Sequence, residues 1–316
     1  MSRDQKIKIA MVICAVIVLC AVIITSTGMF NGTGIGGYAN ADKYTAGPAE
    51  VTGRVKKLEV NWTSGKVIVA YHAENTVLLE ESAKRELSEN EKMRWWLDGE
   101  TLRVQFAASG THWNMPEKTL TITLPEMITF ESASIQTTSA DVEIPALKAE
   151  KLELGSTSGS ISASVEAKDA KLGSTSGDMK VAFTGDTDSI KAGSTSGSIG
   201  IEAGTVKKIE AGSTSGGIGI TAAECEEAKA GSTSGNVYVT LGKLEKLSVS
   251  ATSGSVIAKL PAEPGFMLNA DMTSGSFSSE IALTKDGKQY VCGDGSARVS
   301  IGTTSGNIRI EPYEEK

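Results

Sequence analysis

Few residues in this chain have types suited to catalysis, and their spacing does not assemble a site. Only two histidines occur, His72 and His112, and both are expected to be solvated loop residues. Serine is abundant, but no Gly-x-Ser-x-Gly elbow lies between a strand and a helix, and no base is paired with a serine. The segment Gly-Ser-Thr-Ser-Gly lacks the lysine of a phosphate-binding loop and opens no helix. Asp141, Asp178, Asp186 and Asp188 could hold calcium, yet they do not recur at one offset as calcium-binding coils require. No catalytic residue, cofactor or metal ligand is therefore expected. Trp62, Trp95, Trp96 and Trp113, with Tyr71 and Phe106, are the candidates for ligand contact. They could line a glycan or peptide groove, or fill the cap of a narrow fold.

Charge and cysteine content narrow the partners. A net charge of −7 gives no basic face for a nucleic acid. Cys14 and Cys20 sit in an apolar segment and read as small hydrophobes. Cys225 and Cys292 are 67 residues apart in expected loops, and their spacing specifies no disulfide.

The positioning elements follow from a repeat. Gly-Ser-Thr-Ser-Gly begins at Gly155, Gly173, Gly193, Gly212 and Gly231, and shorter Thr-Ser-Gly copies begin at Thr252, Thr273 and Thr304. A degenerate copy, Thr138-Ser-Ala140, precedes them. The steps between threonines are 19, 18, 20, 19, 19, 19, 21 and 31 residues. Before each corner the apolar positions alternate, as in Leu152 and Leu154 or Ile209 and Ala211. After it they alternate again, as in Ile161, Ala163, Val165 or Val237, Val239, Leu241. Each set is a strand with one buried face. The parity changes between the sets, so Thr-Ser-Gly must be a corner or bulge with glycine supplying a permissive backbone. The corner glycines are Gly159, Gly177, Gly197, Gly216, Gly235, Gly254, Gly275 and Gly306.

Two short strands in about 19 residues bury nothing alone, but stacked copies do. The fold class expected is all-β: a parallel β-helix (β-solenoid) of about nine to ten rungs with an N-terminal β cap, preceded by one transmembrane helix. At ~4.8 Å per rung its length would be roughly 40 Å. Residues 51–137 form the cap and first rung, with Thr63-Ser-Gly65 as a corner and Asp98-Gly99 as a hairpin turn. Residues 138–312 form the repeats, and 313–316 a tail.

The N-terminus adds an anchor. Arg3, Lys6 and Lys8 precede residues 9–30, which carry no charge. That stretch is long enough to span a bilayer, with residues 1–8 as a cytoplasmic tail. A cleaved signal peptide is the alternative, with Ala39-Asn-Ala41 as its site, although apolar signal regions are shorter. Residues 31–50 are Gly-rich and expected to be a flexible tether.

The opening Val55-x-x-Leu-x-Val copy, the Asp-Gly hairpin, the Leu120-x-Ile-x-Leu-Pro125 strand and the serial Thr-Ser-Gly-x-Ile units are together similar to the bacterial putative-adhesin family of β-strand-repeat proteins. The resemblance covers about residues 50–312. It implies a surface-exposed repeat domain in envelope settings, and it carries no catalytic residues. The expected function is a structural, adhesive or interaction module of the cell envelope on a single membrane anchor, with an envelope protein or glycan as partner. An envelope-stress sensor binding its ligand through the cap is the second expectation. Ice binding by the Ser/Thr ladders lacks a broad threonine face, and a polysaccharide-cleaving solenoid lacks clustered acids.

Overall fold

The computed structural model describes residues 37–110 and 114–314, and among these there are strands and one short 3₁₀ turn, Ala41–Lys43, but no α-helix. No helix among the described residues is long and apolar enough to cross a membrane; the expected anchor, residues 9–30, lies outside them. Two compact units are present among the described residues, one ending at Val181 and the other beginning at Ala182.

The first unit contains β1 (Thr45–Ala46), β2 (Ala49–Val51), β3 (Lys57–Trp62), β4 (Gly65–His72), β5 (Val77–Ala83), β6 (Arg94–Asp98), β7 (Thr101–Gln105), β8 (Lys118–Pro125), β9 (Phe130–Thr137), β10 (Asp141–Ile144), β11 (Lys148–Ser156) and β12 (Ile161–Ser174). A strand before each corner and one after it make a coil, and neighbouring coils pair in parallel. β3 lies between β7 and β9, pairing Leu58 with both Leu102 and Ala133. β4 likewise lies between β8 and β10. The first coil of the chain is thus not the outermost; the coil made by β7 and β8 covers it. Beyond that coil the pairing turns antiparallel, β6 on β7 and β5 on β8. The edge then ends on β1 and β2, two and three residues long. Edges this short give incoming strands little to pair with.

Residues 45–50 therefore belong to the fold, although the sequence places them in a tether. Glycine content argued for flexibility, but the chain from Tyr44 onward finds strand partners fifty and thirty residues away, at Trp95 and Leu79.

The second unit follows β13 (Met179–Phe183) and contains β14 (Thr187–Ser194), β15 (Ile199–Ser213), β16 (Ile218–Ser232), β17 (Val237–Ala251), β18 (Val256–Leu260), β19 (Gly265–Ser274), β20 (Phe277–Ser279), β21 (Thr284–Asp286), β22 (Gln289–Gly293), β23 (Ala297–Ser305) and β24 (Ile308–Pro312). β15, β16 and β17 pair in strict register, Ile201 with Ile220 and Ile220 with Val239. The coil bearing Thr304 then inserts between those bearing Thr252 and Thr273. β23 pairs with β17 on one side and β19 on the other, while β24 pairs with both β18 and β20. The 31-residue step accommodates this reversal: its extra residues form the antiparallel β21–β22 hairpin on β19, and the chain then turns back inside.

The alternation expected from the sequence is the core. Leu152, Leu154, Ile161, Ala163 and Val165 are buried, as are Ile209, Ala211, Val237, Val239 and Leu241. Parity flips because two consecutive residues, Thr157 and Ser158, both turn outward between the inward Ser156 and Gly159. The first serine of the motif faces in. Ser213 and Ser232 accept hydrogen bonds from the Gly216 and Gly235 amides, both at 2.8 Å, so the hydroxyl satisfies the corner's own backbone. One residue past the corner, Asp141, Asn236 and Asn307 accept the amide hydrogen bonds of Ser160, Ser255 and Ser276 in the adjoining coil at 2.8–2.9 Å. Side chains thus lock the register where the ladder is interrupted.

The corner glycines serve a purpose different from the one expected. At Gly159, Gly177, Gly216, Gly235, Gly254 and Gly306 the backbone does not need the left-handed region. A Cβ at Gly177 would lie 2.0 Å from the carbonyl oxygen of Gly159, and one at Gly235 would lie 2.0 Å from that of Gly216. The backbones of successive coils touch there, Cα hydrogen toward carbonyl. Gly275, at φ 136°, meets both demands, since its Cβ would also lie 2.1 Å from the Gly306 carbonyl. Gly197 occupies the same corner position as its counterparts.

Candidate functional site: an aromatic-walled groove on the first unit

In the first unit the outward faces of β3, β7, β9 and β11 form the floor of a groove of about 710 Å³. Because side chains alternate, each strand contributes every second residue: Glu59 and Asn61, Arg103 and Gln105, Ser132, Ser134 and Gln136, Lys151 and Glu153. Parallel register puts like beside like. Gln105, Asn61 and Gln136 stand in one row of amides, at the position that later coils fill with glycine such as Gly155. The Gln136 side chain lies over Gly155, where a Cβ would come 2.0 Å from its oxygen.

The wall comes from the segment before β1 and from β6. Tyr38 and Tyr44 meet edge to face at 4.8 Å, Tyr44 and Trp96 at 5.6 Å, and the Lys43 ammonium lies 4.9 Å from the Trp96 ring centroid. Short pairing of β1 with β6 brings these residues together, Thr45 opposite Trp95. Burial pushes the Tyr38 hydroxyl up to about 12, and it donates to the Ala107 carbonyl. Burial raises the Tyr44 hydroxyl too, against an opposing hydrogen bond with Gln105. On the floor, Arg103 is paired with Glu59 and lies 3.6 Å from Asp98. The Gln136 side chain is almost wholly covered; its amide nitrogen donates to Ser134 at 3.3 Å, while its oxygen has no partner.

The four tryptophans part ways. Trp96 forms the wall. Trp62 is fully buried, edge to face with Phe106 at 4.9 Å, its indole donating to the Lys118 carbonyl. It is core because its strand position faces inward. Trp95, half-buried, pairs across β6–β7 with Val104, and its indole nitrogen has no partner. Trp113, like His112, lies outside the described residues. His72 is held by a 2.6 Å hydrogen bond with the Thr76 carbonyl. Cys225 and Cys292 are not in loops: they sit on β16 and β22 as buried free thiols, because their alternation places them facing in. Burial pushes the Cys225 thiol up to about 12. Asp188 pairs with Lys207 at 2.6 Å, and no group of three or more potential metal ligands occurs among the described residues.

One buried group gave no warning. Lys118 stands where the coil beneath has its corner Gly65, in phase with the inward Leu120, Ile122 and Leu124. Its ammonium is fully enclosed, 2.8 Å from Glu81, and donates to the carbonyls of Glu91 and Phe106. It also lies over the rings of Trp62 and Phe106. Glu81 completes the node by accepting the Met93 amide at 2.8 Å. The pair ties the antiparallel cap to the outermost coil. Lys118→Met strands a buried carboxylate and should cost about 3–5 kcal/mol in a urea melt, whereas Lys118→Met with Glu81→Leu should recover most of it. Equal losses in the single and double variants would show that the node has no pairwise character. Burial holds the Lys118 ammonium below the ordinary lysine range. The unfolded chain then binds more protons in that window, so this group's contribution to stability rises with pH until the ordinary lysine range is reached.

Parallel coils with sharp Thr-Ser-Gly corners and antiparallel end strands define a β-solenoid-like class of all-β protein. The Toastrack DUF4097 family model matches residues 55–311, and the chain belongs to that family. No curated protein matches it. Among solved structures it is similar to a "putative adhesin" from Parabacteroides distasonis at 12% identity, over 84% of this chain and 97% of that one, with a TM-score of 0.47. A "putative lipid binding protein" from the same species matches at 12% identity, over 87% and 99%, with a TM-score of 0.47. A "putative cell adhesion protein" from Clostridium sporogenes matches at 13% identity, over 85% and 100%, with a TM-score of 0.23.

Proposed function

We propose that this protein is an interaction module of the bacterial cell envelope, held by one N-terminal membrane anchor with its coils outside the membrane. The observation that carries the reading is the groove. A stack of coils needs no concave, aromatic-walled surface to be stable, and the first unit builds one from four strands and a wall segment. Ligand sites in general combine such a concavity with a few fixed polar groups. The reading is binding rather than catalysis, since the floor's polar groups are amides, hydroxyls, one lysine and carboxylates already held in ion pairs. The uncharged residues 9–30 behind Arg3, Lys6 and Lys8 support the anchor.

Fractionation tests the anchor. The full-length protein is expected to pellet with membranes and to resist extraction by high salt and by carbonate. Recovery of a soluble form beginning near Asp42 would mean that a signal peptide is removed instead.

A further inference from the structure

We infer that the groove of the first unit binds a neutral saccharide. This deepens the interaction reading and does not depend on the anchor. Three features of the groove select that chemistry over the alternatives.

The floor cannot add a peptide strand. β3 is already paired on both sides, by β7 and β9, and β9 is paired by β3 and β11, so none offers a free backbone edge. Nor does it suit an amphipathic helix, which needs an apolar trough; every floor residue named above is polar. An anionic group is disfavoured as well. Arg103 is already engaged by Glu59 and Asp98, and Glu153 is engaged by Lys171 at 2.8 Å. Glu59, Asp98 and Glu153 line the groove against Arg103 and Lys151, so the carboxylates outnumber the cations that a phosphate would meet.

What remains matches a sugar. Its axial C–H face is apolar and packs on an aromatic ring, which Trp96 and Tyr44 supply at the wall. Its hydroxyls are closely spaced donors and acceptors, matched by planar groups that offer both. The row Gln105, Asn61 and Gln136 repeats one amide per coil. Strand spacing of ~4.8 Å sets the row's pitch, close to the length of one hexose unit. A volume of about 710 Å³ holds a short oligosaccharide.

The test uses the full-length protein in nanodiscs and isothermal titration calorimetry. The probes are neutral tetrasaccharides (β1,4-glucose, α1,4-glucose and β1,4-N-acetylglucosamine), vesicles carrying a diglucosyl diacylglycerol, and plain phosphatidylcholine vesicles. Binding of at least one tetrasaccharide is expected. Binding only to the glycolipid vesicles, and not to plain ones, also upholds the site and identifies its source as a lipid headgroup. Trp96→Ala should weaken the affinity at least about tenfold, Trp96→Phe should retain most of it, and Tyr238→Ala in the second unit should leave it unchanged. Thermal melts of each variant separate lost binding from lost folding. Failure of every sugar-bearing probe, equal binding to plain vesicles, or a folded Trp96→Ala protein that binds as well as the parent would overturn the inference. Fractionation with membranes would stand in any of these cases, so the two readings fail separately.

Discussion

Replacing Ile201 with Asp is expected to unfold the second unit at denaturant concentrations that leave the parent protein intact. Ile201 is 1% exposed and stands in a ladder with Ile220 and Val239. An aspartate there has neither water nor a cation beside it, and its burial costs several kcal/mol, a large share of the ~5–15 kcal/mol that holds a domain together. Glu202, the next residue, is exposed on the opposite face of the strand. Glu202→Ala should therefore change stability by no more than about 0.5 kcal/mol. A urea melt of both variants checks the contrast, and similar losses at the two positions would mean that inside and outside are exchanged.

The second large effect is at the corner. Gly235→Ala adds one carbon 2.0 Å from the carbonyl oxygen of Gly216 and 2.9 Å from the amide nitrogen of Gly217. Neither atom can move without parting two coils, and overpacking of this kind costs about 1–3 kcal/mol or more. Gly204 provides the control, being exposed on β15 with nothing within 4 Å of its would-be Cβ. Gly204→Ala is expected to be neutral or slightly stabilising, because it restricts the unfolded chain. If thermal melts placed the two substitutions within about 0.5 kcal/mol of each other, backbone contact would not be the reason for glycine at the corners. Ala140 is the natural exception, and its neighbour in the adjoining coil is Gly65, whose φ of 97° gives the backbone a different path.

The regular coils were legible because their signal is local. Alternation around each Thr-Ser-Gly names the buried residues directly, and the change of parity demands a corner. Its mechanism was not legible, since no single-chain argument reveals that Gly177 faces the carbonyl of Gly159. Coil order was hidden for a related reason. The corners at Thr252, Thr273 and Thr304 are alike, so any order would stack, and what decides is the antiparallel docking of β22 on β19. The groove was half legible. Trp96 stood out by type, but Tyr38 and Tyr44 sit in a Gly-rich stretch and reach it only through the short β1–β6 pairing. Lys118 was missed because charge outweighed phase: its position in an inward-facing alternation was the available signal.

Thiol labelling in spheroplasts tests the central claim, a folded module displayed outside the membrane. Ser253 is exposed at a corner of the second unit, whereas Cys225 and Cys292 are buried. In the Ser253→Cys protein, a membrane-impermeant maleimide added to intact spheroplasts should modify residue 253, and the unsubstituted protein should remain unlabelled until denatured. Labelling of the Ser253→Cys protein only after lysis would place the coils inside the cell and contradict the account.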